Sequence, residues 1–240
     1  MNKISSTFRF SHTASHPKNA IAFCYDLEGF SRFFNVPEIQ EFVPGFLNHI
    51  SKAIEICIFG GKPFWTSHEK EDYHSLEIVP VHEKFLGDGG LYIFLPPKGQ
   101  TNFNSSHLTF FLNRLWNVRL RFHEIINSAL EFTPTAELPK KVRFGLARGG
   151  VWELQRPQKR QAEYIGFCIN LASRLQKYCP QLGFIASARL QVPASTLTEH
   201  RYKKVIATGI PGFARELVIV DENEFNELPE DMRSSLFETI

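Results

Sequence analysis

The stretch Ala20-Ile-Ala-Phe-Cys-Tyr-Asp26 reads as a buried strand that ends in a carboxylate. A short apolar run with an aromatic bias lies between His, Pro, Lys and Asn on one side and Gly29 on the other, which is the pattern of a core strand with its turn. Downstream, Ile39, Phe42, Val43, Phe46, Leu47, Ile50 and Ile54 recur at helical spacing. They predict a helix from near Pro37 to Ile58, with Pro44 bending or restarting it. Gly60 to about Val81 is polar, aromatic and irregular, the composition of an insertion or extended loop.

Lys84-Phe-Leu-Gly-Asp-Gly-Gly-Leu-Tyr-Ile-Phe94 predicts a hairpin whose turn is supplied by Gly87, Gly89 and Gly90, with Asp88 at the tip. Asn104–Phe132 predicts a long helix capped by Ser105 or Ser106, with Leu108, Phe111, Leu112, Leu115, Phe122, Ile125, Ile126 and Leu130 in one stripe. Lys141–Trp152 returns to strand and Phe167–Tyr178 to helix, and short strands near Phe184–Ala186, Lys203–Ala207 and Glu216–Val220 close the chain. The order strand, helix, hairpin, helix, strand predicts an α+β fold with a ferredoxin-like arrangement. An antiparallel-rich sheet would carry helices packed on one face.

At 240 residues, 43% apolar and 22% charged, the chain has the material for one core and is neither disordered nor collagenous nor coiled-coil. No repeat or Gly/Ser linker divides it, so a single domain over residues 1–240 is expected, with its core at about 20–220. The net charge of +2 is too balanced for a protein that coats nucleic acid or an anionic membrane, so any anion site is local. Cys24, Cys57, Cys168 and Cys179 are scattered among apolar neighbours with no metal-ligand spacing, as expected of reduced core thiols. The N-terminus has no continuous apolar segment and no stretch approaches the roughly 20 apolar residues of a membrane span, so a cytoplasmic protein is expected.

Asp26 and Asp88 each follow an apolar strand or sit in a glycine turn, where a carboxylate near a core needs a cation. Two readings fit: turn-capping aspartates, or hard oxygen ligands for Mg²⁺ or Mn²⁺ held jointly with substrate phosphates. Asn170 and Arg174 are four apart in a predicted helix and project from one face. That pair is either a solvated face or an amide and a guanidinium acting on one ligand.

Together these blocks resemble the catalytic domain of class III nucleotidyl cyclases, the adenylate and guanylate cyclase family, over most of Ala20–Val220. Phe23-Cys-Tyr-Asp26-Leu-Glu-Gly29-Phe30-Ser31 is similar to the family's first metal-aspartate strand and its Gly-Phe-Thr/Ser turn. Lys84-Phe-Leu-Gly87-Asp88 is similar to its K-x-x-G-D hairpin. Arg143-Phe-Gly-Leu-Ala-Arg-Gly-Gly-Val151, then Tyr164-Ile-Gly-Phe-Cys-Ile-Asn170-Leu-Ala-Ser-Arg174, is similar to its late strand and catalytic helix. The resemblance implies that Asp26 and Asp88, with the Leu27 carbonyl, hold two Mg²⁺ or Mn²⁺ ions per site. One would activate the ribose 3′-hydroxyl and the other would stabilise the triphosphate and the leaving pyrophosphate. It further implies that Asn170 orients the ribose, that Arg174 meets charge on the α-phosphate, and that the backbone of Phe30 and Ser31 offers N–H groups to phosphate oxygens. A head-to-tail homodimer with shared active sites is implied as well.

The triphosphate-binding lysine of the resembled family falls at Thr208, where its charge is missing; Lys159 and Arg160 are the substitutes expected, or else they belong to a solvated loop. The separation between Asp26 and Asp88 is longer than usual in the family, and the insertion carries Trp65 and Tyr73, which would close over the site or merely pack. Lys84 and Glu163 occupy the two base-selecting positions. A donor and an acceptor suit adenine, cytosine or uracil. The length of Glu163 and the bulk of Tyr164 favour a pyrimidine. A lone cyclase core also resembles the stand-alone uridylate and cytidylate cyclases of bacterial Pycsar anti-phage defence, which implies UTP as substrate, cyclic UMP as product and a separate cyclic-nucleotide effector. The rival class is a non-catalytic cyclase-like regulatory domain. Such relatives typically lose a metal aspartate or the Asn/Arg pair, and this chain has all four residues.

Overall fold

The computed structural model describes residues 16–59, 78–135, 137–155, 162–199 and 201–240. Strand β1 (Lys18–Glu28) is buried on both faces from Ile21 to Leu27. A short helix α1 (Phe30–Phe34) and a single 3₁₀ turn at Ile39–Glu41 lead into α2 (Val43–Ile58). The helix expected from Pro37 is therefore two pieces. Pro44 begins the second piece instead of bending it, because a missing N–H costs nothing in a helix's first turn. The expected insertion at residues 60–77, with Trp65 and Tyr73, lies outside the described residues.

The hairpin is β2 (Pro80–Phe85) and β3 (Gly89–Phe94), with Leu86–Asp88 between them. Helix α3 (Ser105–Ala129) is capped by Asn104, whose Oδ1 accepts the His107 N–H at 2.8 Å, so neither Ser105 nor Ser106 is the cap. Its apolar stripe is buried as expected except for Leu130, which lies past the helix end and is exposed. Strand β4 (Lys141–Leu154), β5 (Glu163–Gly166), α4 (Phe167–Tyr178) and β6 (Phe184–Ser187) follow. The chain closes with α5 (Ala194–Glu199), β7 (Tyr202–Ile210), β8 (Phe213–Asp221), α6 (Glu222–Glu227), α7 (Glu230–Leu236) and β9 (Phe237–Glu238).

The strands form one sheet ordered β2-β3-β1-β4-β6-β8-β7-β9, with β5 beside β4. Among the described residues its pairings are antiparallel except β4 with β6. Helices cover both faces rather than the one expected, and alternation along β1 shows why. Ile21, Phe23, Tyr25 and Leu27 enter an aromatic core with α2 and α3, where Phe23 meets the rings of Tyr92 and Phe144 at 5.8 and 5.4 Å. Ala20, Ala22 and Cys24 face a second core built with α4. Small side chains on that face let a second helix layer lie close.

Gly145 of β4 sets that closeness. A Cβ there would stand 2.0 Å from the Ala172 carbonyl oxygen and 2.6 Å from the Gln176 nitrogen, both backbone atoms of α4. No helix of the described residues is long and apolar enough to cross a membrane. Gly145→Ala is expected to lift α4 and cost about 1–3 kcal/mol, read as a lower urea midpoint with an unchanged slope. Gly45→Ala, near the start of α2 with open space around it, is the control and should be neutral or stabilising by up to ~1 kcal/mol.

Candidate active site

Two polar clusters stand on the α4 side of the sheet. The first is at the end of β1. Asp26 is 6% exposed and pairs in register with Gly89 on one side and Arg143 on the other. Facing residues of neighbouring strands share a face, so the Arg143 guanidinium reaches the Asp26 carboxylate and Nη2 donates to Oδ2. Asp88 is brought beside them by the β2–β3 turn, where its carbonyl accepts the Leu27 N–H at 3.0 Å. Gly89 allows that approach, since a Cβ there would lie 1.9 Å from the Tyr25 carbonyl oxygen.

Burial, and then the negative charge of Asp26, push the Asp88 carboxyl above its ordinary range, while its own backbone N–H and Lys177 pull the other way. Two carboxylates held together with that penalty are a donor set suited to a hard divalent cation. Sharing with phosphate oxygens and water would complete the coordination. Gly29, at φ +88°, turns the chain from β1 into α1, and no side chain caps that helix, which leaves its first-turn amides at Phe30 and Ser31 without a helical acceptor.

The second cluster lies along α4. Asn170, Arg174 and Lys177 are exposed on one side of the helix and, with Ser173, line a groove of about 630 Å³ whose other wall includes Gly209 and Pro211. The Arg174 guanidinium leans towards the Phe213 ring, 6.0 Å from its centroid. Neither aspartate is among the described residues lining this groove. One chain thus holds the two halves of the expected site in separate places.

Lys84 is exposed on β2 and also borders a polar recess of about 330 Å³ with Glu55 and Glu83. Glu163 opens β5. The two strands meet through a residue to which the sequence reading gave no role. His82, two before Lys84, is 8% exposed and its Nδ1 lies 3.1 Å from the Ala162 carbonyl oxygen, one residue before Glu163. Its ring also meets Tyr164 edge-on at 5.7 Å. Tyr164 packs against the α4-side core and, by strand alternation, leaves β5 on the face opposite Glu163, so its bulk does not narrow a pocket at Glu163. Lys159 and Arg160 lie outside the described residues. Thr208 turns its hydroxyl to the Leu236 carbonyl at 3.2 Å, and its N–H donates to the Tyr178 hydroxyl at 3.0 Å. Arg143 is the main residue the sequence reading missed as a site member. It stands in the quoted strand motif, but only the register reveals its partner.

Among solved structures, the adenylyl cyclase CyaB from P. aeruginosa matches with a TM-score of 0.57 at 20% identity, over 86% of this chain and 94% of that one. The guanylyl cyclase Cya2 matches at 0.58 and 17% identity, over 87% and 93%. The chain has the class III cyclase fold. The guanylate cyclase domain of RhGC from Catenaria anguillulae, solved in complex with GTP, matches at 0.52 and 13% identity over 85% and 97%. No protein-family model and no curated protein matches the sequence. On this cyclase fold the strand-end aspartates and the polar face of α4 are the candidate active site.

The raised Asp88 pKa has a testable sign. Above it, the folded protein carries the strain of a second carboxylate; as pH falls through it, protonation removes that strain. Asp88→Asn is therefore expected to raise the melting temperature at pH 7 in EDTA, with the gain shrinking towards pH 4. Mn²⁺ should stabilise the native chain and not the variant.

Proposed function

We propose that this protein is a nucleotidyl cyclase that converts a nucleoside triphosphate to a 3′,5′-cyclic nucleotide and pyrophosphate. The observation that carries this reading is the mutual placement of Asp26 and Asp88 on a cyclase fold that also exposes Asn170 and Arg174 along one helix face. Asp26, Asp88 and the Leu27 carbonyl would hold two divalent cations, Mg²⁺ or Mn²⁺, which would supply Lewis acidity to the ribose 3′-hydroxyl and to the leaving pyrophosphate.

The residues do the rest. Asn170 holds the ribose so that its 3′-oxygen lies in line with the α-phosphorus. As that oxygen bonds to phosphorus, the bond to the β-phosphate oxygen breaks, pyrophosphate leaves, and the 3′-hydroxyl proton passes to solvent. Arg174 sits on a rigid helix and meets the charge that grows on the α-phosphate oxygens, where a fixed guanidinium contributes most in the transition state. Backbone N–H groups of Phe30 and Ser31 face the phosphate chain. Arg143, whose Nη2 donates to Asp26 Oδ2, holds that carboxylate in place and sets a positive charge at the strand end where the phosphate chain would lie.

Because the aspartates and the Asn170/Arg174 groove are separate within one chain, the working unit is a head-to-tail homodimer in which each site takes one half from each copy. Lys84 donates and Glu163 accepts at the base edge. The extra methylene of Glu163 favours a pyrimidine, with UTP first and cyclic UMP as an anti-phage messenger read by a separate effector. Adenine offers the same donor and acceptor pattern, so ATP is the competing substrate.

Purified protein with Mn²⁺ is expected to convert UTP to cyclic UMP and pyrophosphate, detected by mass, faster than it converts CTP, ATP or GTP. Cyclic AMP alone would keep the chemistry and discard the pyrimidine and defence roles, and no product from any of the four would leave a regulatory domain. Asp26→Ala should abolish turnover and Arg174→Ala should lower kcat by about a hundredfold or more, each keeping the native melting transition. An equal mixture of the two should recover about a quarter of native activity, since half the dimers are mixed and each of those has one intact site.

A further inference from the structure

The cation missing at Thr208 has a structural successor one helical turn past Arg174. Thr208 is held by Tyr178, whose hydroxyl accepts the Thr208 N–H at 3.0 Å and donates to its carbonyl at 2.5 Å. The residue before Tyr178 is Lys177, and both line the groove together with Gly209, the residue after Thr208. Lys177 is exposed, lines the groove of Asn170 and Arg174 on the same side of the helix, and has no ion pair among the described residues.

Asn170, Arg174 and Lys177 stand at i, i+4 and i+7, a run of about 10 Å along the axis at 1.5 Å per residue. That matches a nucleotide's course from ribose through α-phosphate to the outer phosphates. The groove wall opposite, Gly209 and Pro211, has no charged side chain to compete for the anion.

We infer that Lys177 is a substrate-binding residue of this cyclase, contacting the β- and γ-phosphates of the bound triphosphate and replacing the cation absent from position 208. The inference rests on the cyclase reading above and names a residue of the same site. Lysine suits the task as a compact point charge with three rotatable donors on a flexible stem, able to follow phosphate oxygens through pyrophosphate departure.

The test separates the two claims. Isothermal titration with inorganic tripolyphosphate in EDTA at low ionic strength reads the anion site without requiring catalysis. Native protein is expected to bind, Lys177→Met to bind about tenfold more weakly, the weight of one charge-assisted hydrogen bond, and Lys177→Arg to stay within about threefold of native. In the cyclase assay Lys177→Met should raise KM for the triphosphate by a similar factor with a smaller change in kcat, whereas Arg174→Ala acts mainly on kcat. Unchanged tripolyphosphate affinity in Lys177→Met, or no binding by native protein, overturns the inference. Loss of native cyclisation with every triphosphate overturns the cyclase reading instead, and the titration then decides on Lys177 alone. The position is exposed, so matched melting temperatures show that the variants are folded.

Discussion

The contact between α4 and the bare backbone of β4 is the constraint on which the candidate site depends. A helix can approach a sheet to backbone distance only where no Cβ intervenes, and at Gly145 a single methyl group would overlap the Ala172 carbonyl. The neighbouring strand supplies Ala20, Ala22 and Cys24 to that face, so the floor beneath the helix is low there. The opposite face carries Phe23, Tyr25, Phe144 and Tyr92 and needs the greater thickness of α2 and α3 to cover it. Large side chains on one side and small ones on the other thus fix two different layer spacings on a single sheet. The candidate site stands on the thin side, where a closely seated helix has little freedom to shift and its polar face inherits that rigidity.

Charge on this thin side is arranged in a second, dependent tier. Asp26 is nearly buried and survives there because Arg143 faces it across the β1–β4 ladder. Among the described residues Asp88 has no ion pair with a guanidinium, and it carries the unfavourable part, a carboxyl whose ionisation is opposed by burial and by Asp26. Negative potential only partly offset by Arg143 and Lys177 is costly to the fold, the relation between stability and function expected of a site that would hold a cation. Arg174 and Lys177, by contrast, stay in water on the helix surface, where a positive charge costs little until an anion arrives.

Strand β1, the glycine hairpin, the α4 boundaries and the late strands were legible because each is written in local pattern: apolar runs, Gly-rich turns and helical spacing. The start of α2 was not, since Pro44 reads equally as a kink or as a first-turn residue until the preceding 3₁₀ turn is seen. The cap of α3 went to Asn104 over two neighbouring serines, a choice set by backbone geometry one residue upstream of both. Placement of helices on both faces follows from the small residues of β1, a signal present in Ala20, Ala22 and Cys24 but outweighed by the aromatic half of the same strand. At the site, Asp26, Asp88, Asn170 and Arg174 were legible as motif positions. Arg143 and His82 were not, because their partners come from strand register, and the place of Lys177 on the groove depends on how α4 packs, which no short motif encodes.

The four cysteines of the chain are all buried, and burial pushes the Cys24 and Cys168 thiols up to about 12 and about 11. Thiolate is the reactive form, so at neutral pH these groups are nearly inert towards maleimides and disulfides alike. A cysteine introduced at an exposed position is therefore chemically distinct from every native one. Spectroscopic reporters can be attached to the native background at one chosen point, and the approach of two copies can be followed by distance between labels without first stripping the core of its sulfur.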